Sequence, residues 1–230
     1  MGELGKFVRI AVVLLLIVGW SAGTGLLLAR ASEASFALWL EHWTGDFRTA
    51  LLSHRPKRQH DKVALVAITD ETMQPYPYRS PVDRGLLGDL VRMIDTAGAK
   101  AIGLDILFLK PTEPDKDKAL MAAISGANTR VVVAVADWRV ELTAAQRDYQ
   151  NMFLARSGAR AGYANLLTGG DRIVRYIAAP GEPAFPKSFA AALVTPNFSV
   201  PPVTGHRRIA WMLGPHDGNE RFFSIPAHLL

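Results

Sequence analysis

Three short apolar runs, residues 62–68, 101–108 and 130–136, do most to constrain what this chain can fold into. Each is rich in Val, Ile, Leu and Ala and bounded by polar or turn residues, so each reads as a buried strand. Helical patterns lie between them. Residues 83–97 carry Leu86, Leu87, Leu90, Val91 and Ile94 at three- and four-residue spacing, with Asp83 as cap and Gly98 as stop. A shorter helix is expected over 116–125, after the breaker segment 111–114. Strands separated by helices call for right-handed crossovers. They predict a mainly parallel sheet covered on both faces, a three-layer α/β domain.

The pattern changes after Asp137. A helix is expected over 143–154. Residues 161–166 and 172–177 read as two strands joined through 168–171, an antiparallel hairpin extension. A short helix over 187–194 lies between loops at 180–186 and 196–202, and strands are expected over 208–213 and 222–225. Pro226 suits the start of a helix. The sequence stops within that turn, so a domain incomplete at its C-terminal end is expected.

At the other end no charge occurs between Arg9 and Arg30. A helix of that length spans about 30 Å, the thickness of a hydrocarbon core. Ala29-Arg30-Ala31 has the form of a signal-cleavage site, but the apolar run exceeds the usual secretory length. An uncleaved anchor is therefore expected over 10–29, with 1–9 cytoplasmic, after Lys6 and Arg9. Residues 30–60 form a juxtamembrane helix and loop, and 61–230 the extracytoplasmic domain. Gly19 and Gly23 make a G-x-x-x-G, extended by Gly25. Small residues at that spacing permit a close helix–helix contact in the membrane.

A second helix is expected over 32–53, capped by Ser32 or Ser35 with Glu33 in its first turn. Phe36, Leu40, Trp43, Phe47, Ala50 and Leu51 share one face. Three roles are open: a stalk continuous with the anchor, a face packed on the domain, or a helix lying in a membrane interface. The basic segment 54–60 ends it as a solvated loop, which also offers a contact for lipid or an anion.

Charge and chemistry exclude several functions. The net charge is only +5 and no basic stripe with interleaved aromatics appears, which argues against nucleic acid. The absence of cysteine removes disulfides, thiol catalysis and thiolate metal sites. No phosphate-cradling glycine motif, H-E-x-x-H or G-x-S-x-G is present. The six histidines show no ligand spacing. No cofactor, metal or catalytic residue is expected.

Two carboxylate positions stand out. Asp70 and Glu71 follow the first strand, at the rim where parallel sheets bind ligands. Asp105 lies inside the second expected strand, where a carboxylate needs a partner. It either belongs to a small-molecule or cation site or serves a structural network, pairing with Arg79 or with amides of the next loop. Residues 75–81, with three prolines, Tyr76, Tyr78, Arg79 and Ser80, make a stiff loop at the same mouth. Asp70, Glu71, Tyr78, Arg79 and Asp105 are the candidate ligand-binding residues.

Several of these segments resemble a known family. Residues 66–73 (VAITDETM), 76–81 (YPYRSP) and 97–108 (AGAKAIGLDILF) are similar, in order, to the type-two CHASE domains of bacterial signalling proteins. So are 162–165 (GYAN), 171–175 (DRIVR) and 185–190 (FPKSFA). Thr69 and Tyr78 depart from the pattern, which carries an acidic residue and a tryptophan there. The resemblance implies an extracellular sensory domain preceded by one membrane helix and followed, in such proteins, by further membrane helices and a kinase, cyclase or phosphodiesterase; for this chain a single-pass placement in the bacterial inner membrane, with the domain facing the periplasm, is expected. It implies no catalytic residue.

Two functions are carried forward, and an extracytoplasmic enzyme ranks below both. The first is a non-catalytic subunit of a membrane assembly, contacting other subunits through the N-terminal helix and an open sheet edge and contacting the bilayer itself. The second is the ligand-sensing input domain of a receptor, with an unidentified small molecule as its ligand.

Overall fold

The computed structural model describes residues 2–31, 35–169, 171–194, 207–209 and 211–230. Ser32 and Glu33, the loop 196–202 and His206 lie outside the described residues. The chain forms two compact units, 1–56 with 210–213, and 57–209 with 214–230.

The first unit holds helices α1 (Gly2–Ala31) and α2 (Ser35–Leu52). Its return segment is tied in where the Leu213 amide donates to the His54 carbonyl at 3.1 Å. The expected membrane anchor over 10–29 is corrected here. Among the described residues no helix is long and apolar enough to cross a membrane. Gly19, Ser21, Gly23, Thr24 and Gly25 dilute the apolar surface of α1.

The second unit is a mixed α/β domain with parallel sheets. Its centre is three parallel strands, β2 (Ala101–Leu104), β3 (Arg130–Val135) and β4 (Arg160–Tyr163), in the order β2-β3-β4. Val133 of β3 pairs with Leu104 on one side and Ala161 on the other. Helices α4 (Arg84–Thr96), α5 (Pro114–Gly126) and α6 (Ala144–Ser157) build the main core. Leu87 and Val91 of α4, Leu120 of α5 and Phe153 of α6 pack there with Ile102, Val131 and Val133 of the sheet. Phe153 stacks on Phe108, with ring centres 4.2 Å apart. Helix α7 (Phe189–Leu193) covers the opposite face of the same strands.

Local sequence explains the helix ends. The Asp83 carboxylate accepts the Leu86 amide at 3.1 Å and caps α4, and Gly98, at φ +79°, ends the turn that follows. Thr143 and Gln146 form a reciprocal capping box on α6, and Gly158 closes it in the left-handed region.

Three strand expectations change. The first strand, β1 (His60–Ala67), stands apart from β2 and pairs in parallel with β8 (Phe222–Pro226) in a two-stranded sheet. Most of its side chains are exposed rather than buried. Residues 161–166 do not form one hairpin arm. Their first half joins the parallel sheet as β4, and the hairpin consists of β5 (Leu167–Thr168) and β6 (Val174–Ile177). The strand expected over 208–213 is the short β7 (Arg207–Arg208), antiparallel to β6. Helix α3 (Asp70–Met73) follows β1 directly, and a 3-10 turn, Ala227–Leu229, follows β8.

Candidate functional site

β2 stops at Leu104, one residue earlier than a buried Asp105 would require. Asp105 therefore stands exposed at the carboxyl end of the strand instead of inside it. On the neighbouring segment, β1 runs out through Ile68 into Thr69, which caps α3 by accepting the Thr72 amide at 3.3 Å. These two strand ends and the loop before α4 enclose a cavity of about 420 Å³. Val66, Ile68, Met73, Val82 and Ile106 give it an apolar lining, and Asp70, Arg79 and Asp105 are its charged groups.

The structure thus brings together three of the five candidate residues and keeps Glu71 and Tyr78 off the lining. The Arg79 guanidinium donates to the Asp70 carboxylate at 2.8 Å. Both side chains are largely exposed, 73% and 81%. Such a pair contributes about 0–1 kcal/mol to stability, so it can exchange partners with a charged ligand at small cost. Asp105 makes no hydrogen bond or ion pair among the described residues, with Arg79 or with the following loop. The expected Asp105–Arg79 network is absent among the described residues.

Glu71 instead accepts a hydrogen bond from the Thr69 hydroxyl at 3.3 Å. Tyr78 turns toward α5, where its hydroxyl donates to Glu113. That bond pushes the Tyr78 phenol up to about 12 and holds the Glu113 carboxyl below its ordinary range. Lys116 completes the network with Nζ 2.6 Å from Asp83 and 2.9 Å from Glu113. Burial pushes the Asp83 carboxyl upward, but the bonds from Lys116 and from the Leu86 and Gly85 amides outweigh it and hold it low. This network anchors the loop that carries Arg79 and Val82.

The sequence reading missed the apolar lining and a second carboxylate, Asp137. Asp137 follows β3 directly and is fully buried. Arg139 holds it with Nε 2.9 and 3.0 Å from its two oxygens, while Nη1 reaches the Ala179 carbonyl at 2.9 Å. The strand-end rule that singled out Asp70 would have found it. Among the described residues no group of three or more His, Asp or Glu is placed to hold a metal ion.

The cavity lies beyond the carboxyl ends of parallel strands, the place where open α/β sheets hold their ligands. The CHASE2 domain family model matches residues 12–219, and the chain belongs to that family. CHASE2 domains are extracytoplasmic sensory domains, not catalytic ones. No curated protein and no solved structure matches the chain.

Proposed function

We propose that this chain is the ligand-sensing input domain of a receptor of the kinase or nucleotide cyclase type, facing the periplasm, and that its ligand occupies the cavity between the ends of β1 and β2. The observation that supports this is the unpaired Asp105 carboxylate beside the exchangeable Asp70–Arg79 pair, over an apolar floor. Two carboxylates and one guanidinium suit a small zwitterion. Its ammonium group would meet Asp105 and Asp70, its acidic group Arg79, and its apolar part Met73 and Val82.

The test is a thermal-shift and calorimetric screen of the full chain with amino acids, small amines and small carboxylates. A zwitterion is expected to raise Tm. Asp105→Asn should weaken that zwitterion about tenfold, or 1.4 kcal/mol, and leave the unliganded Tm nearly unchanged because the side chain is exposed. A screen in which no amine or zwitterion binds, or in which Asp105→Asn binds as well as the parent, overturns the reading.

A second reading, a non-catalytic subunit of an assembly, is favoured by β1 and β8. Val63, Leu65 and Phe223 stay exposed on this two-stranded sheet, an arrangement of marginal stability by itself. A partner's strand or helix would cover it. Open space beside Gly19 and Gly23 on α1 supports close approach of a second helix there.

A further inference from the structure

Arg79 is the one cation among the described residues that line the cavity between the ends of β1 and β2. Its guanidinium is 73% exposed and pairs with an Asp70 carboxylate that is 81% exposed, a contact too weak to fix a side chain. The direction of Arg79 is therefore set by the backbone that carries it. Among the described residues that backbone has little support of its own: residues 79–82 make no backbone–backbone hydrogen bond. They form a short bridge between two anchors instead. At one end the Tyr78 hydroxyl donates to Glu113, and at the other Asp83 caps α4 by accepting the Leu86 amide at 3.1 Å. Pro81 fixes one backbone angle between them, so the bridge has little slack. Both anchors converge on one side chain, because Lys116 Nζ donates to Asp83 at 2.6 Å and to Glu113 at 2.9 Å. Lys116 itself stands on α5 and does not line the cavity.

We propose that Lys116 positions Arg79 for the acidic group of the ligand, by tying together the two carboxylates that anchor the bridge. This rests on the zwitterion reading of the cavity. Without the ammonium, the buried Asp83 and the neighbouring Glu113 repel each other across the gap that Lys116 fills. The Tyr78 end of the bridge then loosens from the Asp83 end. Arg79 keeps its charge and its exposure but loses its fixed direction. A ligand carboxylate must order it on binding, and that ordering costs affinity. A ligand without an acidic group makes no use of Arg79 and is indifferent to Lys116. A network that served stability alone would weaken both kinds of ligand or neither.

The first measurement needs no ligand. The chain has no cysteine, so a nitroxide on the full chain at Ser80→Cys reports the bridge alone. Lys116→Met should speed its tumbling about twofold or more, while a nitroxide at Asp148→Cys on α6 keeps its rate. Tyr78→Phe cuts one anchor with no change of charge and should free the Ser80 label as well, which decides the matter if Lys116→Met does not fold. The second measurement is calorimetry with an amino acid and the amine that lacks its carboxylate, leucine and 3-methylbutylamine first. Lys116→Met and Tyr78→Phe should each weaken the amino acid about fivefold and leave the amine nearly unchanged. In an Arg79→Ala background neither should weaken the amino acid further, because the group they act through is gone. An unchanged Ser80 label in both variants overturns the proposal, as does a loss of affinity that persists without Arg79. If the label is freed but the parent binds no amino acid, the zwitterion reading fails and takes the affinity role of Lys116 with it, while its role as anchor stands.

Discussion

Asp137 sits where burial and pairing oppose each other most strongly. Burial pushes its carboxyl upward, but the hydrogen bonds and charge of Arg139 outweigh that and hold it below the ordinary aspartate value. The folded pKa is thus lower than the unfolded one of about 3.9. Its stabilisation is complete above that unfolded value and is lost as pH falls through the folded value. Removing the cation leaves a buried charge without a partner. Arg139→Ala should cost about 3 kcal/mol at pH 7 by urea denaturation, and part of that cost should be recovered as pH falls, because without the arginine burial raises the Asp137 carboxyl and its protonation removes the unpaired charge. A variant within about 0.5 kcal/mol of the parent would mean that the pair does not hold this loop. At the same scale, the sequence shows that carboxylates crowd the strand ends but not which of them are free. Asp70, Asp105 and Asp137 look alike in sequence, each beside a strand-like run. Asp137 takes its arginine from two residues further along its own loop, whereas only the folded loop before α4 lends Arg79 to Asp70 and leaves Asp105 open.

Helix α7 rests on two glycines of the central sheet. A Cβ at Gly162 would lie 2.5 Å from the Phe189 Cα, which is backbone and cannot turn aside. A Cβ at Gly103 would lie 2.9 Å from the Phe189 Cζ and 3.0 Å from a Leu193 methyl, both ends of side chains. Gly162→Ala should therefore cost about 2–3 kcal/mol and Gly103→Ala about 1 kcal/mol or less. Urea denaturation of the two variants decides this, and equal costs would mean that α7 shifts as a whole. The helices were the most legible elements, because their signals are local. Asp83, Gly98 and Thr143 mark real caps and stops within a residue or two of where periodicity places them. Strand partners were not legible. Residues 62–68 and 130–136 are both apolar runs, yet one forms an exposed ribbon and the other a buried centre. An apolar run records that a strand forms, and only long-range pairing decides what covers it. Residues 161–166 divide for a related reason: Gly162 is needed beneath α7, which draws the first half into the parallel sheet.

At the scale of the whole chain, the last strand closes onto the first. The family match ends at residue 219, and β8 begins just beyond it at Phe222. Ala64 to Ala67 pair in register with Phe223 to Pro226, and the Thr72 hydroxyl meets His228 Nδ1 at 3.1 Å. Among the described residues β8 is the only strand paired with β1. This pairing brings the end of β1, and with it Val66 and Ile68, to the cavity that also holds Asp105. A ligand in that cavity, as proposed, would be coupled to the C-terminal segment. Stopping the chain after Glu220 should raise hydrogen exchange of the β1 amides about a hundredfold or more, because a lone strand has no cooperative partner. The β2-β3-β4 amides should keep their protection, since among the described residues their core of Leu87, Leu120, Val133 and Phe153 draws on none beyond Ala159. A zwitterion that binds the full chain should bind the shortened one more weakly, because it must first order β1. If β1 stays protected after the truncation, another element pairs with it and the coupling fails. If β1 loosens while affinity holds, the cavity is built from the α4 loop and Asp105 alone.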